Sequence, residues 1–260
     1  MSSKPEQLFL FEHCQRWRGR RASYRPAGEP FDPNRYEARP IEFSEAKAYV
    51  TKTHYSGSMP AARKQIGLFE KASPFLSEKL VGAIVLSVPI QEQAIPAWLD
   101  GLDPRLGIEI GRLVLDDEVP GNGESWFLGR TFRLMRKLLP EVRGVLSYAD
   151  PVERRSATGE IIKPGHQGVV YRAFNGRYAG RASARTLILS RDGRTVSERA
   201  LSKIRLEEQG AAYAIRQLEN LGAPARRLGE SGQSYVKRAL EEGQFRRLRH
   251  PGNLAFTWRT

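Results

Sequence analysis

Three consecutive pieces constrain this chain more than any other segment: Glu109-Ile-Gly-Arg-Leu-Val-Leu-Asp116, the bend Asp-Glu-Val-Pro-Gly-Asn-Gly, and Glu124-Ser-Trp-Phe-Leu-Gly-Arg130. Residues 108–116 alternate as a strand does. Residues 124–139 carry a helical apolar face made of Phe127, Leu128, Thr131, Leu134, Met135 and Leu138, with Arg130, Arg133 and Lys137 on another face and Pro140 as the stop. A strand that enters a helix through glycines leaves free backbone N–H groups at the positive end of the helix dipole, which is a cradle for an anion. Many helices begin this way and only cap themselves, so the pattern constrains fold more tightly than ligand.

The flanking sequence mixes strands and helices. Ser44 can cap a helix reaching Thr53, with Ala46, Tyr49 and Val50 turned to a core. Val81-Gly-Ala-Ile-Val-Leu-Ser-Val88 predicts a buried strand stopped by Pro89, and residues 91–106 a loop. Residues 144–149 predict another strand, and residues 153–165 a polar Gly/Pro loop long enough to be functional. Residues 185–196 predict a hairpin turning at Asp192-Gly193. Residues 200–221 and 232–242 predict helices stopped by Gly222 and Gly243, and residues 254–258 a last short strand. This mixture predicts an α/β (α+β) fold: a mixed, partly antiparallel sheet flanked by helices, with basic N- and C-terminal extensions. The expected organisation is a basic arm over residues 1–40, a catalytic domain over 41–200, and an extension over 201–260 packed on the same domain.

Charge narrows the partners. The 42 Lys and Arg against 29 Asp and Glu give a net charge of +13 and a pI near 10.1, which points to a polyanion, with DNA or RNA the leading candidate and double-stranded DNA the expected partner. Arg16, Arg18, Arg20 and Arg21, interleaved with Trp17 and Tyr24, make the arm either a solvated tail or a phosphate-contacting one. Arg246 and Arg247 belong to a second basic patch at residues 245–250. No segment approaches the roughly 18 apolar residues of a membrane span, and no secretory signal is visible, so a cytoplasmic protein without a membrane partner is expected. Cys14 is the single cysteine, which excludes an internal disulfide and a cysteine-rich zinc site.

Three further clusters carry polar chemistry: His54-Tyr55-Ser56 just past the first helix, Ser147-Tyr148-Ala149-Asp150 at the end of a strand, and Gly165-His166-Gln-Gly168-Val-Val-Tyr171. A carboxylate at the carboxyl end of a strand lines the crevice where ligands bind in open sheets. Each cluster also has an ordinary explanation: a Tyr–Asp pair can hold a loop, and a His near a helix end can complement its dipole. The spacings force no metal site, and no G-x-S-x-G elbow is present.

Taken in order, these clusters and the block from Glu109 to Arg130 resemble the Mom family of phage DNA-modification enzymes, themselves similar to GNAT acyltransferases, over residues 40–200. The resemblance implies modification of adenine at N6 in DNA, giving a carbamoylmethyl group that blocks restriction, by a phage or prophage protein acting in the host cytoplasm. It implies that Arg112 and Ser125, with Gly121 and Gly123, serve a donor of the acetyl-CoA type or a related acyl or aminoacyl donor. It also implies a catalytic cluster of His54, Tyr55, Asp150 and Tyr171, the same four residues holding iron. The bend Pro120-Gly-Asn-Gly departs from the usual GNAT spacing, which leaves the donor open.

Adenine N6 is a poor nucleophile buried in the duplex, so the base must be extruded and held against aromatic surfaces. Tyr55, Tyr148, Tyr171 and Trp126 are candidates for stacking, and Asp150 for a hydrogen bond to the amino group. A conventional GNAT N-acetyltransferase acting on a protein or small amine, and a non-catalytic DNA-binding protein, remain as alternatives; a homodimer is left open.

Overall fold

A computed structural model describes residues 13–18, 21–26, 29–75 and 77–260 of the chain, with side chains from residue 29 onward. In chain order the elements are β1 (His13–Arg18), β2 (Arg21–Pro26), β3 (Tyr36–Pro40), α1 (Phe43–Thr53), β4 (Ala62–Glu70), β5 (Lys79–Ser87), α2 (Ala94–Trp98), β6 (Gly107–Leu115), α3 (Gly123–Leu138) and β7 (Gly144–Ala149). They continue with β8 (Arg154–Arg155), β9 (Ile161–Lys163), α4 (Val169–Ala173), β10 (Arg177–Arg181), β11 (Arg185–Leu189), α5 (Glu198–Arg205), α6 (Ala211–Asn220), α7 (Gly232–Glu242), β12 (Arg246–His250) and β13 (Leu254–Arg259).

Two compact units result. The first takes the chain up to Pro151, then Gly165–Ala182 and Asn253–Thr260; the second takes Val152–Pro164 and Ser183–Gly252. The first unit is built on a seven-stranded sheet in the order β10-β13-β7-β6-β5-β4-β3. Every neighbouring pair is antiparallel except β6 and β7, which run parallel. On one face, Phe127, Leu128, Phe132 and Met135 of α3 close a core over Ile66, Ile84, Ile108 and Ile110. On the other, α1 covers Ala83, Val85 and Val114 with Val50, and α2 covers Leu146 and Ala255 with Ile95. The architecture is the mixed α/β one expected, with a mostly antiparallel sheet flanked by helices.

One irregularity sets up the site. Val85 pairs with Arg112 and Leu86 with Ile110, so Gly111 is an extra residue in β6. Residues three apart on a regular strand face opposite ways. The extra residue resets the alternation: Ile108 and Ile110 lie in the α3-side core, as do Leu113 and Leu115, while Val114 lies under α1. Glu109 and Arg112 therefore share the α1 face. A side chain at Gly111 would meet Ser87 Oγ at 2.3 Å, which is why glycine stands there. Pairing of β6 with β7 ends at Ile110–Ser147, just before the bulge, and beyond it the two parallel strands part.

Several expectations need correction. The first helix begins at Phe43 with Glu42 at its N-cap, so Ser44 lies inside the first turn instead of capping it. The expected loop over 91–106 contains α2, and β4 was not read from the sequence. The loop over 153–165 contains the β8–β9 ladder, and Lys163 within it is fully buried with Nζ donating to Val152 O at 2.8 Å. The Asp192-Gly193 turn forms, but β11 pairs along its length with β12 and meets Thr195 in a single bridge. The helix expected over 200–221 is two helices, α5 and α6. The final strand, β13, is no peripheral extension: it lies between β10 and β7 in the main sheet. Residues 13–18 and 21–26 pair as antiparallel strands, while Arg20 and the side chains of Arg16, Arg18 and Arg21 lie outside the described residues.

Gly168 ties α4 to the sheet. Its φ of +71 is in the left-handed region, and a Cβ there would stand 2.4 Å from Phe256 Cε2. Gly168→Ala should cost about 1–3 kcal/mol from overpacking alone, read as a lowered urea midpoint with an unchanged slope. An unchanged midpoint would contradict this packing.

Candidate active site

The site is built at the parting of β6 and β7. Ser147 Oγ donates to Ile110 O at 3.3 Å across the last parallel pair. The Tyr171 phenol, brought by α4, hydrogen-bonds Ser147. Tyr171 is 6% exposed and is boxed in by Phe256 and Trp258, with ring centroids at 5.5 and 5.8 Å. Burial raises its pKa, with the Ser147 hydrogen bond opposing. The phenol is thus held neutral at physiological pH.

Arg112 leaves β6 on the α1 face and reaches the loop that follows α1. Its Nε donates to Ser58 O and its Nη2 to Ser58 Oγ, both at 3.0 Å. Burial lowers its pKa, while Tyr55, Glu109 and Tyr171 act on it in the opposite direction. These effects place Tyr55, Glu109 and Tyr171 within electrostatic reach of one guanidinium. His54 stacks on Tyr55 with centroids 4.1 Å apart, and its Nδ1 accepts the Ser56 N–H at 3.1 Å.

Glu109 is half-buried, and burial pushes its carboxyl up to about 7, with Arg112 pulling the other way. The desolvation effect wins. A carboxyl poised near neutrality can accept a proton at physiological pH and is still a strong enough base to matter. Sequence reasoning missed Glu109 as a site residue. It stood first in the segment 109–116, but alternation alone marks it only as a polar strand position.

Asp150 and His166 close the chain excursion between Pro151 and Gly165. The His166 N–H donates to Asp150 O at 2.9 Å, and the Asp150 N–H reaches His166 Nε2 at 3.4 Å. The His166 ring sits 6.4 Å from that of Tyr171. The four expected catalytic residues are thus links in one chain of neighbours: Asp150, His166, Tyr171, Arg112, Tyr55 and His54. Of the expected stacking residues, Tyr171 is enclosed by other rings, while Tyr148 is half-buried and its hydroxyl accepts from Trp98 Nε1 at 2.9 Å.

The residues do not fit the expected iron site. The Tyr171 phenol is already engaged by Ser147 and enclosed by Phe256 and Trp258. Nδ1 of His54 is already engaged within its own loop, 3.1 Å from the Ser56 backbone nitrogen and 2.8 Å from Ser56 Oγ. Among the described residues no group of three His, Cys, Asp or Glu side chains could hold an ion.

The glycine bend forms a different feature. The Gly121 N–H donates to Glu29 Oε2 at 3.1 Å, and Ser125 Oγ donates to Asn122 O at 3.1 Å. Glu29, Phe31, Asn122, Ser125 and Trp126 line an open cavity of about 510 Å³ there. In the bend before α3 the chain's own Glu29 carboxylate accepts from the Gly121 N–H. Arg112, expected beside this bend, is instead committed to Ser58, and Gly123 stands where a Cβ would meet Val119 Cγ1 at 2.4 Å.

The model of the Mom protein family matches residues 35–230. The chain belongs to the Mom family. Membership supports a transferase. No curated protein matches the sequence at a significant level. Among solved structures the chain is similar to a tandem GNAT protein from the clavulanic acid biosynthesis pathway, at 12% identity and a TM-score of 0.42, over 86% of this chain and 98% of that one. It is also similar to the ribosomal-protein-S5-alanine acetyltransferase of Vibrio fischeri, at 15% identity and a TM-score of 0.37, over 59% and 85%. No helix among the described residues is long and apolar enough to cross a membrane.

The shifted carboxyl has a consequence for stability. Between its ordinary value of 4.5 and about 7, the folded chain keeps a proton on Glu109 that the unfolded chain releases. Stability therefore falls as pH rises through that window. Glu109→Gln should remove this dependence and stabilise the protein at pH 8 by about 1–3 kcal/mol, with little change at pH 4.5. Parallel denaturation curves at both pH values for the two proteins check it; equal pH dependence would contradict it.

Proposed function

We propose that this Mom-family protein is a DNA-modifying transferase that converts adenine in DNA to an N6-substituted adenine of the carbamoylmethyl type, protecting phage DNA from restriction. The observation that carries this reading is the Glu109 carboxyl, poised near pH 7 beside Arg112 where β6 and β7 part. The N6 lone pair is delocalised into the ring, so attack on a carbon electrophile needs the N6 proton removed as the bond forms. Glu109 takes that proton. With an acyl-CoA donor the N6–carbon bond forms at the carbonyl carbon, the carbon–sulfur bond breaks and the thiolate departs with the electron pair, leaving an N6-acylated adenine. The carbamoylmethyl product needs a methylene on N6 and an amide nitrogen, which a second, nitrogen-bearing co-substrate must supply. Arg112 holds Glu109 from rising still higher and anchors the His54–Ser58 loop. Ser147 holds the Tyr171 phenol by a hydrogen bond.

The donor reading is of the acyl-CoA type, taken at the start of α3. Its anionic part would replace the Glu29 carboxylate on the Gly121 N–H, and Trp126 offers a partly exposed ring beside that position. Glu29→Gln should then bind a CoA-type anion more tightly than the natural chain, because a charged competitor is removed. Titration calorimetry with coenzyme A checks this, and weaker binding by the variant would sink it.

DNA from cells expressing the protein, digested to nucleosides, should contain a new adenosine species by mass spectrometry. Glu109→Gln should lower its yield by on the order of 100-fold or more. In the natural protein the rate should rise with pH to a plateau, with its midpoint near 7. Arg112→Ala removes the influence that pulls Glu109 down and should move the midpoint upward. An unmodified nucleoside profile from soluble protein would refute the reading. A purified protein that acetylates free amines in the absence of DNA would favour a conventional N-acetyltransferase instead.

A further inference from the structure

The second unit carries its own core and a surface chemistry that the transfer reaction does not use. Its helices α5, α6 and α7 enclose Leu201, Ile204, Ala214, Leu218, Tyr235 and Val236. A reversal at residues 206–210, with Glu207 at φ +51 and Gly210 at φ +87, separates α5 from α6. Helix α6 buries Ala214 and Leu218 and leaves Tyr213, Arg216, Gln217 and Asn220 exposed. Those four stand at i, i+3, i+4 and i+7, one stripe along the helix. None of their side chains has a partner among the described residues.

Composition and charge select the partner for this stripe. Arginine pairs bidentately with the major-groove edge of guanine, and glutamine or asparagine with that of adenine. The 10 residues of α6 span about 15 Å, and the major groove of B-form DNA admits a helix. The unit holds 17 Lys and Arg against 10 Asp and Glu. Its acidic groups are largely engaged internally: Glu207 by Arg226, Glu208 by Arg199, and Glu230 and Glu242 by Arg238. Arg216, Lys237, Arg247 and Arg249 have no such partner among the described residues, so their charge is available to a polyanion.

We propose that α6 is a DNA-reading helix: it enters the major groove of the duplex, with Arg216 on a guanine edge and Gln217 on an adjacent adenine edge, and thereby sets the sequence context of the modified adenine. The statement about context rests on the transferase reading of the first unit; duplex recognition by α6 does not.

The full chain and its variants Arg216→Ala, Arg216→Lys and Gln217→Ala would be compared in three ways. These are fluorescence anisotropy on duplexes from a randomised pool, mapping of modified positions by sequencing, and thermal melting as a folding control. Arg216→Ala should lower affinity for the preferred duplex roughly ten- to hundredfold and relax the preference at one base pair. Arg216→Lys should relax the same preference while keeping non-specific binding and its salt slope, because the charge remains and the bidentate fork is lost. Unchanged preference and unchanged modification context in variants that melt normally would overturn the proposal while leaving the transferase intact. A natural chain that modifies no adenine, yet loses duplex preference on substitution of Arg216, would refute the transferase reading and uphold the reading helix.

Discussion

A single inserted residue governs the proposed chemistry. Gly111 interrupts the ladder between β5 and β6, and the interruption carries Arg112 to the face that Glu109 already occupies. Without the bulge, a cation and a carboxyl three positions apart would stand on opposite sides of the sheet. With it, the two share a half-buried environment in which desolvation outweighs their attraction, and Glu109 titrates near neutrality. The same stretch is where β6 stops pairing with β7, so the irregularity in one ladder adjoins the opening in the other. Tyr171 and Ser147 line that opening from the β7 side.

Much of this fold was legible in the sequence because its pieces are locally consistent. Residues 144–149, 123–138 and 232–242 show their period and their stops within the segment itself, and the structure forms them within a residue or so of the expected limits. What was illegible depends on partners remote in the chain. β13 is an ordinary short strand by composition, and only its pairing with β7, more than 100 residues earlier, puts it inside the sheet. β11 carries a good turn signal at Asp192-Gly193, yet the more distant β12 takes most of its hydrogen bonds. The stretch over 200–221 is periodic enough for one helix, but Gly210 breaks it.

The candidate site divides along the same line. His54, Tyr55, Asp150 and Tyr171 were visible as chemically capable residues at strand and helix ends. Their environments were not: enclosure by Phe256 and Trp258 keeps Tyr171 neutral, and the pairing of Asp150 with His166 is made by the chain closing around an excursion. Glu109 became apparent only through burial and the bulge, neither of which a linear pattern discloses. The glycine bend was legible as an anion cradle, but its occupant, the Glu29 carboxylate, comes from a part of the chain that composition described only as an arm.

The proposed chemistry depends on the poised Glu109 carboxyl, which can be titrated in the intact protein. Selective carbon-13 labelling of glutamate, with Glu109→Gln to assign the signal, allows the side-chain carboxyl resonance to be followed from pH 3 to pH 9 by NMR. A midpoint near 7 that moves upward in Arg112→Ala is the expected result. A midpoint near the ordinary glutamate value of 4.5, insensitive to Arg112, would contradict the account.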